Sequence, residues 1–119
     1  MRRHALTMPP DPLDLAHVTG LFQALADSTR LSLLLALTDA ERTVTDLSET
    51  LRQPQSTVSR HLATLRHARL VQTRRDGPRV YYRLADAHLT YLLTEAFSHA
   101  QHARLGLPDH RAVPAKGRQ

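Results

Sequence analysis

Four side chains near the end of the chain have the types and spacing of a metal site: Asp86, His88, His99 and His102. They share one stretch in which Leu89, Leu92, Leu93, Ala96, Phe97 and Ala100 recur at steps of three and four, a spacing that predicts one helix with an apolar stripe. Asp86 stands where its N-cap belongs, and Gly106 and Pro108 are its stop signals. At about 100° per residue, His88 and His99 fall within about 20° of each other around the axis, with His102 about 40° away. Along the axis His88 and His99 are about 16 Å apart, whereas zinc draws its donors to about 2 Å. One helix cannot close such a site. Two copies packed antiparallel about a two-fold axis bring Asp86 and His88 of one chain to His99 and His102 of the other, twice over. Donors of nitrogen and carboxylate without sulfur suit Zn(II), Co(II) or Ni(II) and disfavour Cu(I). Four protein ligands leave no open position, as in a regulatory rather than a catalytic zinc site. A single helical histidine is most often solvated or hydrogen-bonded; the combination of Asp-x-His with His-x-x-His beside an apolar seam is more specific.

The elements that must position these residues come from a chain of 119 residues, enough for one domain with one core. Aromatic residues make up 4% of it, so Leu, Ala and Val must fill that core, which suits helices better than a sandwich. A formal charge of +5 favours polyanions, nucleic acid first and an anionic membrane surface second. The absence of cysteine excludes disulfides, thiolate metal sites and cysteine nucleophiles. The first ten residues are basic but lack the apolar core of a signal peptide, and no run approaches the roughly 20 apolar residues of a membrane span. A cytoplasmic protein without a membrane partner is expected.

Residues 1–12 read as a flexible arm, 13–104 as the folded domain and 105–119 as a flexible tail, with His4 and His110 as possible additional ligands. Apolar positions 15, 18, 22 and 25 predict an amphipathic first helix. Asp27 or Ser28 caps the next, whose run Leu31-Ser-Leu-Leu-Leu-Ala-Leu should be the buried centre. A short helix follows over Thr45–Leu51, capped by Thr43 or Thr45, with Glu49 placed to reach back. Pro54 marks a turn, and Ser56 opens a second helix to Leu70 with Val58, Leu62, Leu65 and Leu70 inside. Gln55, Ser56, Thr57, Ser59, Arg60, His61 and Arg66 then supply polar and basic groups suited to base edges and phosphates in a major groove. Asp76-Gly77 predicts a hairpin carrying Arg74, Arg75 and Arg79, whose arginines suit phosphates or the minor groove. Solvated polar faces and edge-protecting arginines would show the same composition.

This order of elements resembles the ArsR–SmtB family of winged-helix, metal-responsive repressors, from about Leu13 to His102. Ala-Leu-Ala-Asp-Ser-Thr-Arg-Leu at 24–31 and Gln-Ser-Thr-Val-Ser-Arg-His-Leu-Ala-Thr-Leu at 55–65 carry the likeness. It implies a mainly α fold with a small β-hairpin, a winged helix-turn-helix, and a homodimer with paired N- and C-terminal helices. It also implies that Asp86, His88, His99 and His102 match the interfacial site of the zinc- and cobalt-sensing branch. Where many relatives have Cys-Val-Cys, this chain has Thr43-Val44-Thr45, so sensing through thiolates is not expected. The reading is a repressor that binds double-stranded operator DNA as a dimer and is released by Zn(II), or by Co(II) or Ni(II). One of His99 and His102 is expected to donate its second ring nitrogen to a carbonyl near His67 to Arg69. Two other classes remain: a winged-helix regulator indifferent to metal, and, remotely, a small zinc hydrolase using a base such as Glu95.

Overall fold

The computed structural model describes residues 7–106; His4 and His110 lie outside them. The described residues divide into two compact units, one ending at Ala85 and one beginning at Asp86.

In the first unit, α1 (Pro12–Leu25) starts at a proline, whose missing N–H costs nothing there, under an Asp11 cap accepting from Leu13 N at 2.7 Å. The amphipathic character expected of this helix is weak, because apolar residues are spread around it, and the expected stripe is not turned inward. Leu15, Val18 and Phe22 are exposed together with Leu13, and only Ala24 and Leu25 are buried. Asp27 caps α2 (Ser28–Ala36) through the Arg30 N–H, at 3.0 Å. Leu33, Leu34 and Leu37 form the centre of the core, as the run of leucines predicts, while Leu35 faces out.

α3 (Val44–Leu51) begins one residue earlier than the spacing predicts, with Thr43 as N-cap. The residue that reaches back is therefore Asp46, at the third helical position, and not Glu49: Asp46 Oδ2 accepts from Thr43 N at 3.0 Å while Thr43 Oγ1 accepts from Asp46 N at 3.1 Å. Arg52, in the left-handed region at φ 57°, closes α3. Pro54 is the N-cap of α4 (Gln55–His67). This helix ends three residues before the predicted Leu70, because Arg69 turns left-handed at φ 63° and Leu70 N closes back on Leu65 O at 2.9 Å. Val58, Leu62, Leu65 and Leu70 are all buried as expected. Helices α2, α3 and α4 pack against one another around Leu33, Leu34, Leu47, Leu62 and Leu65.

Strands β1 (Val71–Asp76) and β2 (Arg79–Leu84) form an antiparallel hairpin in which Val71 pairs with Leu84 and Asp76 with Arg79. Gly77, at φ 62°, supplies the positive φ that a two-residue hairpin loop needs. Arg42 adds a one-residue bridge on the other edge of β2, exchanging both backbone bonds with Tyr82 at 3.0 and 2.8 Å.

The second unit is α5 (Ala87–Leu105), capped by Asp86 and closed by Gly106 at φ 70°. Leu89 and Leu93 are buried; Tyr91, Phe97 and Leu105 are exposed, so the predicted apolar stripe is covered only in the first half of the helix. No helix among the described residues is long and apolar enough to cross a membrane.

Candidate functional site

The exposed side of α4 is built by its own register. Because Val58, Leu62 and Leu65 point into the core, Gln55, Ser56, Ser59, Arg60 and Arg66 are left exposed, and Thr57 and His61 half-buried at the margin. Gln55 Nε2 donates to Thr45 Oγ1 at 3.3 Å, which ties the start of α4 to α3. His61 turns away from the exposed strip: its Nδ1 lies 3.5 Å from Arg30 Nη1, while the same guanidinium donates to the Ala24 carbonyl at 2.6 Å. Ser59, Arg66 and the wing's Tyr82 line an open groove of about 540 Å³ that also takes in His67 and Arg69. These last two were not singled out by spacing, which carried the helix on to Leu70.

Of the three predicted wing arginines, Arg75 and Arg79 are exposed near the tip. Arg74 is differently placed. Its Nη2 and Nε donate to Glu41 Oε1 at 2.7 and 3.0 Å, and its guanidinium lies 4.6 Å from the centre of the Tyr81 ring. The Arg74 hydrogen bonds hold the Glu41 carboxyl below its ordinary value, and Glu41 in turn holds the Arg74 charge in place. Among the described residues no ion pair engages Arg60, Arg66, Arg75 or Arg79.

All four predicted metal ligands lie on α5 or at its cap. Asp86 Oδ1 accepts from Leu89 N at 3.3 Å, which orients the carboxylate at the head of the helix. His88 and His99 are exposed and His102 is half-buried. His102 Nδ1 lies 2.7 Å from the Ser98 carbonyl oxygen. A carbonyl only accepts, so Nδ1 carries the proton in this contact and the lone pair of the neutral ring is on Nε2. Within α5, the outer acceptor for His102 is the Ser98 carbonyl of its own helix. Among the described residues no three of His, Cys, Asp and Glu come together around one point. The donor types nonetheless fit a borderline divalent ion, with one carboxylate and three imidazoles and, in His102, a ring already oriented by an outer hydrogen bond.

Residues 27–73, from the cap of α2 into β1, match the model for bacterial regulatory proteins of the arsR family. The chain is 45% identical over 104 residues to the HTH-type transcriptional regulator KmtR of Mycobacterium tuberculosis, covering 85% of this chain and 80% of that protein. It is 39% identical over 92 residues to the HTH-type transcriptional repressor SmtB of the same species, covering 76% and 68%. Its structure is similar to the homodimeric winged helix-turn-helix DNA-binding domain of Mb0332 from Mycobacterium bovis, a possible ArsR-family regulator, with a TM-score of 0.77 at 27% identity over 87% of this chain and 99% of that one. The helix-turn-helix of α3 and α4, the wing behind it and these likenesses have one meaning: the chain is a transcriptional regulator, not an enzyme, and belongs to the arsR family of bacterial regulatory proteins.

Proposed function

We propose that the protein is a cytoplasmic, homodimeric, metal-responsive repressor. It binds operator DNA of dyad symmetry with one α4 in each major-groove half-site, and is released when Zn(II), or Co(II) or Ni(II), is held between subunits. Gln55, Ser56, Thr57, Ser59, Arg60 and Arg66 face the DNA, His61 borders them, and Arg75 and Arg79 reach it from the wing. Asp86 and His88 of one chain hold the ion with His99 and His102 of its partner. The observation that carries this reading is the placement of all four donors on one helix, with Asp86 and His102 each oriented by the backbone of that helix. Bound there, the ion supplies a cross-link between two copies of α5. The uncovered apolar residues of α1 and, separately, those of the second half of α5 are each a face against which a second copy can pack.

A regulator that ignores metal is the reading favoured by the separation of the four donors within one chain. One titration separates the two. A duplex selected from a random-sequence pool by the metal-free protein is titrated with Zn(II), Co(II) and Ni(II), using the native chain and His88→Ala. Metal should weaken binding of the native chain at least about fivefold, the lower end of ordinary coupling, and leave His88→Ala unmoved. Equal affinity with and without every metal would establish the metal-independent reading.

A further inference from the structure

The wing is not fastened to the rest of its unit by the hairpin alone. The segment just before α3 grips it from the side. Arg42 exchanges two backbone hydrogen bonds with Tyr82 on β2. The Arg42 side chain runs the other way, donating to the Ala36 carbonyl at the end of α2 at 2.7 Å and pairing with Asp39 at 3.1 Å. Residues 39–42 are therefore anchored to α2 at one end and to the wing at the other. Glu41, inside this anchored segment, takes Arg74 from the far strand β1. To reach it, the guanidinium crosses the face of Tyr81, its direct cross-strand partner. One carboxylate, one guanidinium and one ring thus link the loop to both strands of the wing.

We propose that Arg74 is a positioning residue of the DNA-binding surface rather than a phosphate ligand: clamped between Glu41 and Tyr81, it fixes the angle at which the wing presents Arg75 and Arg79. Three features favour this role. The Nε and Nη2 edge of the guanidinium, which would otherwise fork onto a phosphate, is occupied by a carboxylate. The anchor on the other side is a segment tied down through Arg42, not a mobile side chain. Arg75 and Arg79, one and two cross-strand pairs nearer the tip, form no close ion pair with a carboxylate among the described residues, Arg79 instead hydrogen-bonding Tyr81. Arg75 and Arg79 are thus left at the tip, and the middle of the wing is braced.

This rests on the DNA-binding reading, and the test keeps the two apart. The full-length native protein, Glu41→Gln, Arg74→Gln and the double variant are titrated against the same selected duplex over a range of salt concentrations. Thermal melts confirm that each is folded. If Arg74 were a phosphate ligand, Glu41→Gln would release it and remove a negative charge, so affinity would rise. The clamp predicts the opposite sign: a loss of about twofold to fivefold, the scale on which an exposed ion pair acts. Arg74→Gln should lose a similar amount, and the double variant no more than either single one. The slope of log affinity against log salt should stay within error of native for all three, whereas losing a phosphate contact lowers it by about 0.9 per wing, or about 1.8 for a dimer. Tighter or unchanged binding by Glu41→Gln, or a reduced slope for Arg74→Gln, overturns the clamp. Failure of the native protein to hold any duplex overturns the DNA reading itself.

Discussion

Asp86 serves two purposes with one carboxylate, and substitution separates them. As the cap of α5 it accepts the Leu89 N–H; as a proposed ligand it must also bring a negative charge to the ion. Asp86→Asn retains the cap and loses the charge, whereas Asp86→Ala loses both. In denaturant unfolding the alanine variant should therefore lose about 1 kcal/mol and the asparagine variant only a few tenths, while both weaken zinc uptake alike. Equal zinc uptake by native and Asp86→Asn protein would remove Asp86 from the ligand set. Glu41 adds a dependence on acid. Its folded-state carboxyl lies below the ordinary 4.5, through the Arg74 hydrogen bonds, so its contribution is present above 4.5 and fades as pH falls through the depressed value. The difference in melting temperature between native protein and Glu41→Gln should be constant near neutrality and close in acid; a constant difference down to the acid limit would contradict this. At this scale, sequence showed residue type and local spacing and little else. That Asp86 caps the helix carrying the three histidines was legible, because that spacing is local. The Glu41–Arg74 pair joins residues 33 apart, and only the folding of the loop against the wing brings them together.

Element by element, the order of helices and hairpin was readable from apolar spacing and the Asp76-Gly77 turn, because those signals are local. What periodicity withheld was direction. The stripe of Leu15, Val18 and Phe22 has the spacing of a core face, yet these side chains are exposed in the single chain; spacing is the same whether the cover is the chain's own core or a second copy. The end of α4 was misplaced for a related reason. Neither Gly nor Pro stands at 68–70, so nothing local announced that Arg69 would turn left-handed. If the face of α1 is covered by a second copy, Phe22→Glu should weaken self-association by about thirtyfold or more, the effect of losing a central aromatic anchor worth ~2 kcal/mol. Folding of the separate chain should be nearly unaffected, because Phe22 is already 54% exposed. Sedimentation velocity over a concentration series reads the first and circular dichroism the second. An unaltered dimer would move the interface away from α1.

For the whole molecule, the two ligands of the proposed dimer are bound by reciprocity. If Zn(II) between two copies of α5 lowers affinity for DNA by some factor, bound DNA must lower affinity for Zn(II) by the same factor. The two measurements are independent: one titrates DNA into metal-free and metal-loaded protein, the other competes a chelator against protein with and without duplex. Factors of about 5 to 150, or 1–3 kcal/mol, are the ordinary range for such coupling. A shared two-state dimer also predicts how the coupling fails. His99→Ala removes one donor from each site and should abolish the response to metal while leaving metal-free DNA affinity near native, since α4 and the wing keep their own core of Leu33, Leu34, Leu62 and Leu65. Phe22→Glu, by contrast, should weaken DNA binding and metal binding together, because each needs both copies. If His99→Ala lost DNA affinity in the absence of metal, His99 would have a role apart from the ion; if Zn(II) bound one chain with full affinity, the ion would be acting within a subunit and not between two.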